Sequence, residues 1–370
     1  MLKKYRVRDY DFFLIMMLIG VTLIGILAIG SADRDVQNKQ IIGLIAGVFL
    51  MVVLSLFDYH IFLRFYWIIY ICNLAILLLV NLFGDSANNA QRWITIAGIR
   101  FQPSETAKIL LILFFAQYIM NHREKFNTFK NLVTMIGLFL PQWYLIYKQP
   151  DLSTSIVLLV IFCVALFVGG LKYRIILGAA AIVLPVGIIF FSMVLREDQA
   201  LIKDYQQDRI MAWLHPEEYR SSTGYQQMNS MIAIGSGCLT GKGLNNNEIA
   251  SVKNGNFISE PQTDFIFAVI GEELGFIGGS IVVILLTMIA IDCTITAARA
   301  PDVAGCVISS GISALIGFQS FFNIAVTTGL SPNTGLPLPF VSYGLTSLLS
   351  LYIGMGFVLN VRLQSVKNRV

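Results

Sequence analysis

Polar groups that can do chemistry stand just after prolines at four places in this sequence: Pro103-Ser104-Glu105, Pro150-Asp151-Leu152-Ser153, Pro261-Gln262-Thr263-Asp264 and Pro339-Phe340-Val341-Ser342. Each opens a long apolar run. Free N–H groups and the positive end of a helix dipole favour an anion at such a start, by about 0.3–1 kcal/mol per terminus. Four of them on one side of a membrane would suit a phosphate-bearing ligand. The same residues are ordinary helix-start signals, so Ser104, Asp151, Ser153, Thr263 and Asp264 can be caps and nothing more. Lys108 adds weight to a site. It follows Ser104 and Glu105 by one turn, where an ionisable group is costly without a partner, and Glu105 at i−3 can be that partner even if the pair is structural.

The elements that would position these groups are membrane helices. Of the 370 residues, 56% are hydrophobic and 13% charged, and the mean hydropathy is +0.72. Such a chain is too apolar for a soluble fold. Apolar runs predict an all-α polytopic membrane protein with about ten transmembrane helices, at 12–31, 40–57, 61–83, 106–120, 132–147, 152–170, 175–195, 265–291, 304–326 and 341–361. Residues 1–370 then form a single membrane domain, with one long extracytoplasmic loop at 196–263 between spans seven and eight. With the N-terminus inside, the inner segments hold Lys3, Lys4, Arg6, Arg8, Arg64, Arg123, Lys125, Lys130, Lys172, Arg174, Arg299, Arg362, Lys367 and Arg369. The short outer loops hold Arg34, Lys39, Arg92, Arg100 and Lys148. Both termini are therefore expected in the cytoplasm, and all four proline-marked starts at the outer face.

Other residues narrow the chemistry. Glu272 and Glu273 lie eight and nine residues beyond Asp264, about 12–13 Å deeper, where carboxylates should be protonated or paired. No polar path runs from face to face, which counts against an ion-coupled transporter. His60, His122 and His215 are scattered, so a zinc or copper centre is not expected. Four of the five cysteines fall in or beside spans and Cys238 stands alone in the outer loop, so no disulfide is expected there. Gly241-Lys242-Gly243 lacks the spacing of a P-loop. The net charge of +4 is explained by the inner loops and implies no nucleic acid. No cleavable signal peptide is expected. The 196–263 loop reads as amphipathic surface helices with glycine turns at 235–237 and 241–243, and can form a lid.

Several strings together resemble one family. They are Ala90-Gln91-Arg92-Trp93, Gln102-Pro103-Ser104-Glu105 with Lys108, Lys148-Gln149-Pro150-Asp151-Leu152, Gly224-Tyr225-Gln226-Gln227 leading to Gly241-Lys242-Gly243-Leu244, Thr263-Asp264-Phe265-Ile266-Phe267, and Gly335-Leu336-Pro337-Leu338-Pro339-Phe340 with Ser342-Tyr343-Gly344. In this order, over most of the chain, they look like the SEDS proteins (shape, elongation, division and sporulation) of the RodA/FtsW group. The resemblance implies a peptidoglycan glycosyltransferase that polymerises lipid II on the outer face of the bacterial plasma membrane. It implies a class B penicillin-binding transpeptidase as partner, along with other elongation or division complex proteins. Asp264 maps to the family's catalytic aspartate, and Glu105, Lys108 and Asp151 are similar to positions needed for function.

On that resemblance, Asp264 would be the general base for the acceptor hydroxyl of an inverting transfer, given a setting that raises its pKa. Helix N-termini, Lys108, Arg92 and Lys148 are candidates to hold the pyrophosphate, with Thr263 and Ser342 also in the substrate-binding set. No cofactor is certain; a divalent cation, magnesium or manganese, is a further candidate. The sequence departs from the family at Leu345-Thr346, Cys238, Ser153 and Ser259-Glu260-Pro261-Gln262, and a leucine as bulky as Leu345 at a helix start can narrow the approach to substrate. Two rival functions remain open: a flippase for a lipid-linked precursor, and a non-catalytic scaffold for the transpeptidase.

Overall fold

A computed structural model describes residues 9–87, 90–96, 99–195, 202, 204–219, 224–245 and 257–367. Lys3, Lys4, Arg6, Arg8 and Arg369, and the loop positions 196–201, 203, 220–223 and 246–256, lie outside the described residues.

The helices are α1 (Phe12–Ala32), α2 (Arg34–Leu56), α3 (Tyr59–Leu63), α4 (Tyr66–Phe83), α5 (Pro103–Asn121), α6 (Phe129–Lys148), α7 (Leu152–Val168), α8 (Tyr173–Val194), α9 (Asp204–Leu214), α10 (Tyr225–Ser236), α11 (Ile266–Ala298), α12 (Val303–Thr327) and α13 (Leu345–Lys367). A helix stands at each of the ten expected spans. Seven of them, α1, α2, α4, α8, α11, α12 and α13, are long and apolar enough to cross a membrane. The apolar α7 has 17 residues, and α5 and α6 carry more polar side chains. Aspartates start many of these helices: Asp11, Asp33, Asp58, Asp151 and Asp302 each accept a backbone N–H of the first turn. The fold is a polytopic helical membrane bundle.

α12 is its hub, packing against α11, α7, α5 and α13 with a buried apolar face that includes Val307, Ile308, Ile312 and Leu315. The outer helices turn apolar side chains outward, among them Phe49, Ile71 and Phe83. On α8 Val194 is the one buried residue. In water such a surface would be untenable; against lipid it carries no penalty.

Three elements differ from expectation. The 61–83 span is two helices, α3 and α4, because Asp58 caps a separate five-residue turn before the break at Arg64 and Phe65. A small antiparallel sheet joins α4 to α5, with strands β1 (Asp85–Ala87), β2 (Ala90–Ile96) and β3 (Ile99–Phe101) in that order. The alternating β-branched and aromatic residues of Trp93-Ile94-Thr95-Ile96 and Ile99-Arg100-Phe101 supply its pattern, with Ile94 opposite Phe101.

The third difference is in α11. Its helix is broken at Gly275, at φ 64° and ψ −164°. Lys242 N and Gly243 N donate to Glu272 O and Glu273 O at 3.0 and 2.9 Å, while Phe276 N and Ile277 N donate to Cys238 O and Leu239 O at 2.9 and 3.2 Å. The 238–243 turn thus satisfies the main-chain groups that the break releases, as irregular backbone inside a membrane protein requires. Close approach explains the glycines here: a Cβ on Gly237 or Gly241 would overlap the carbonyl oxygen of Gly271 or Glu273. Both buried acids are engaged as expected, Glu272 with Lys242 Nζ at 2.9 Å and Glu273 with the Ser31 hydroxyl.

The far end of the bundle is tied by ion pairs. Arg362 bridges Asp292, at 2.8 Å, and Asp11. His60 lies between Asp58 and Asp302, each 2.7 Å away.

Candidate active site

The four proline-marked segments do meet at one end of the bundle, but as two helix starts and two turns. Pro103 opens α5 and Asp151 caps α7, whose Thr154 N donates to Asp151 Oδ1 at 3.1 Å. Asp264 instead lies in a turn two residues before α11, and Ser342 in a turn three residues before α13. These turns are stitched together through consecutive carbonyls. Tyr343 N donates to Gln262 O at 2.9 Å, the Ser342 hydroxyl to Thr263 O at 2.6 Å, and Asn323 Nδ2 to Asp264 O at 2.7 Å. Ser342 Oγ also accepts from Leu338 N at 2.7 Å. Its hydroxyl thus donates one hydrogen bond and accepts another within the protein. The Thr263 hydroxyl is similarly engaged, donating to Glu260 O at 2.9 Å.

Opposite Asp264 runs an irregular stretch, Gly329–Leu338. Six of its carbonyl oxygens are held one by one by side chains from α9, α10, α12 and the start of α7. Trp213 Nε1 donates to Gly329 O at 3.0 Å, Gln227 Nε2 to Ser331 O at 2.7 Å and Arg209 Nη1 to Asn333 O at 3.3 Å. The Ser153 hydroxyl donates to Thr334 O, Asn323 Nδ2 to Leu336 O at 2.7 Å and Gln319 Nε2 to Pro337 O at 2.8 Å. The stretch passes directly beside the carboxylate: a Cβ built on Gly335, at φ 69°, would lie 3.3 Å from Asp264 Oδ2.

Asp264 itself is partly buried, and its carboxylate makes no hydrogen bond among the described residues. Loss of water around it pushes the carboxyl up to about 6, against the pull of Arg209 and Arg92, with Asp151 and Glu260 adding to the rise. The two guanidiniums are fixed by main-chain carbonyls, Arg209 as above and Arg92 by Gln149 O, at 3.2 Å, and Pro150 O. Lys148 ends α6 and is exposed.

Glu105 and Lys108 are paired at 2.7 Å and almost wholly buried. Lys108 Nζ also donates to Gln319 Oε1 at 3.0 Å, so the pair is connected through Gln319 to the Pro337 carbonyl. It lies buried behind the wall of the site and reaches it through Gln319.

Arg209, Gln319 and Asn323 escaped the sequence reading. None lies in a recognisable motif, and each acts on a segment far away in the chain; a polar amide repeating at i and i+4 within an apolar helix was the available signal for Gln319 and Asn323. Three of the departures, Leu345, Thr346 and Ser153, make contacts of their own. Leu345 packs over Gly43 of α2, where a Cβ would come within 2.8 Å of Leu345 Cδ2, so it fills a helix seam. Thr346 Oγ1 accepts from Gln102 N and donates to Arg100 O, both at 3.3 Å, fastening β3 to α13. Ser153 supplies the donor for Thr334 O. Cys238 holds a positive φ of 47°, a conformation that suits glycine better.

The family model described as "Cell cycle protein", covering FtsW, RodA and SpoVE, matches residues 9–367. The chain belongs to this family. This FtsW/RodA/SpoVE chain is 34% identical to the peptidoglycan glycosyltransferase MrdB of Escherichia coli, over 94% of its own length and 92% of the relative's. It is 32% identical to the probable peptidoglycan glycosyltransferase FtsW of Geobacter metallireducens, over 96% and 95%. Among solved structures it superposes on a chain of a peptidoglycan synthase complex that coordinates polymerization and crosslinking, with a TM-score of 0.79, 26% identity and coverage of 96% and 98%. A variant of the rod shape determining protein RodA of Thermus thermophilus gives a TM-score of 0.70 at 26% identity, covering 95% and 97%.

Proposed function

We propose that this chain is a peptidoglycan glycosyltransferase that polymerises lipid II at the outer face of the plasma membrane, beside a class B penicillin-binding transpeptidase. The observation that carries the reading is Asp264, a partly buried carboxylate without a hydrogen bond among the described residues, its main chain held by Asn323 and two guanidiniums acting on its charge. The relatives' names give the same activity, and a peptidoglycan synthase complex holds a chain of the same fold. The clustering of cations on the opposite segments supports an outward-facing site.

In the reaction the 4-hydroxyl of the acceptor sugar attacks the anomeric carbon of the donor. The new O–C bond forms as the bond to the lipid pyrophosphate breaks, and the pyrophosphate leaves with the electron pair. Asp264 takes the hydroxyl proton. Arg92 and Arg209 meet the charge that grows on the departing phosphates. Among the described residues no three His, Cys, Asp or Glu side chains gather as metal ligands, and no step is drawn through a metal ion.

The direct test is polymerisation of lipid II by the purified full chain, with and without the transpeptidase. Glycan strands support the enzyme; no strands even with the partner, together with movement of lipid II between leaflets, would leave the flippase standing.

A second measurement examines the electrostatics. Asp264 acts only when ionised, so with a carboxyl at about 6 the rate should climb as pH rises through that value and then level. Arg209→Gln keeps a donor for Asn333 O but drops the charge that opposes protonation most. The Asp264 pKa then rises, and the low-pH limb of kcat/KM should move to higher pH in a profile from about pH 5 to 8. A limb that stays in place would remove Arg209 from the neighbourhood of the reacting carboxylate.

A further inference from the structure

We propose that Asn323 is a positioning residue for the transfer, setting where the Asp264 carboxylate stands against the bound substrates; this rests on the glycosyltransferase reading. Its place is unusual for an amide. Asn323 is buried on α12, and its Nδ2 donates to two carbonyl oxygens at once, Asp264 O and Leu336 O, each at 2.7 Å. A planar amide nitrogen has two hydrogens in fixed directions, so both are used and the separation of the two segments is set by covalent geometry.

The Asp264 carbonyl depends on that bond. α11 begins two residues later, and Ala268 N, which would otherwise close the first helical turn onto Asp264 O, bonds to Phe265 O at 2.9 Å. One helical turn earlier, Gln319 repeats the arrangement, accepting from Lys108 Nζ and donating to Pro337 O. Two amides on one face of α12 therefore hold two successive carbonyls of the wall. Asn323 alone of the two also holds the residue that carries the base. Because the wall passes Asp264 Oδ2 at Gly335, a shift of either segment changes the space in which the acceptor hydroxyl must sit.

A misplacement on the order of 1 Å at such a point can cost about 100-fold in rate. Asn323→Ala is expected to lower kcat about 10- to 100-fold with KM for lipid II unchanged within about twofold, and to displace the low-pH limb of the rate profile. Hydrogen exchange of the full chain in nanodiscs supplies a readout independent of turnover: amides of 265–268 and of Leu336 and Leu338 should exchange faster in the variant, and those of α1 and α2 should not. Asn323→Ser, which keeps one donor, should fall between the wild type and Asn323→Ala, and it replaces the alanine variant if that does not fold. Unchanged kcat, or a rise in KM with kcat intact, overturns the assignment. So does an exchange pattern that loosens everywhere or nowhere. If the wild-type chain makes no polymer at all, the enzymatic reading falls on that result, while the exchange data still decide whether Asn323 holds the two segments.

Discussion

Asp264→Asn is expected to lose polymer formation by about 10²–10⁴-fold while the protein folds and binds lipid II as before. The substitution is nearly isosteric. The frame around the residue depends on backbone carbonyls, through Tyr343 N, Ser342 Oγ and Asn323 Nδ2, and the side-chain carboxylate contributes no hydrogen bond to it among the described residues. Removing a carboxyl that burial has raised to about 6 also removes a destabilising group, so the unfolding temperature should hold or rise at neutral pH. The measurement is a lipid II polymerisation time course beside a thermal unfolding curve. Retained activity would show that the proton goes elsewhere; lost activity with lost fold would show that Asp264 is structural.

Lys108→Met is the second large effect. The pair with Glu105 is all but sealed from solvent, so neutralising one partner leaves an uncompensated acid in the bundle, at a cost of about 3–5 kcal/mol. Gln319 Oε1 loses its donor at the same time, and the Pro337 carbonyl loses the brace behind it. Stability and polymerisation should fall together. Replacing both members, as Glu105→Leu with Lys108→Met, should restore most of the stability, because a buried pair exchanged for apolar side chains is often neutral. Activity should not return if the wall has moved. An unfolding temperature for Lys108→Met equal to that of the wild type would refute the bracing role.

The residues differ in how far their place could be read from the sequence. Asp151 and Pro103 were legible because capping is local: the signal and the structure lie within four residues. Asp264 and Ser342 carry similar local signals, yet neither caps its helix, since Ser342 is drawn to Thr263 and Leu338 and Asp264 stands before α11 begins. Helices stand where apolar length placed the spans, seven of them long and apolar enough to cross a membrane. The sheet was not legible, because strands of three to seven residues between two spans offer little periodicity. The wall of the site was beyond reach for another reason. Its geometry comes from Trp213, Arg209, Gln227, Ser153, Gln319 and Asn323 meeting one stretch of backbone, and backbone carbonyls carry no sequence of their own.

The broken α11 bears on how the protein is made. A continuous helix satisfies its own main chain as it enters the bilayer, whereas α11 cannot. Before residues 238–243 arrive, the carbonyls of Glu272 and Glu273 and the amides of Phe276 and Ile277 would face hydrocarbon unpaired, each costing several kcal/mol. The span that follows Asp264 therefore reaches its final shape only when an upstream turn folds back onto it. Biogenesis of the membrane helix and assembly of the active site become a single event, so a half-inserted chain would not carry a finished site.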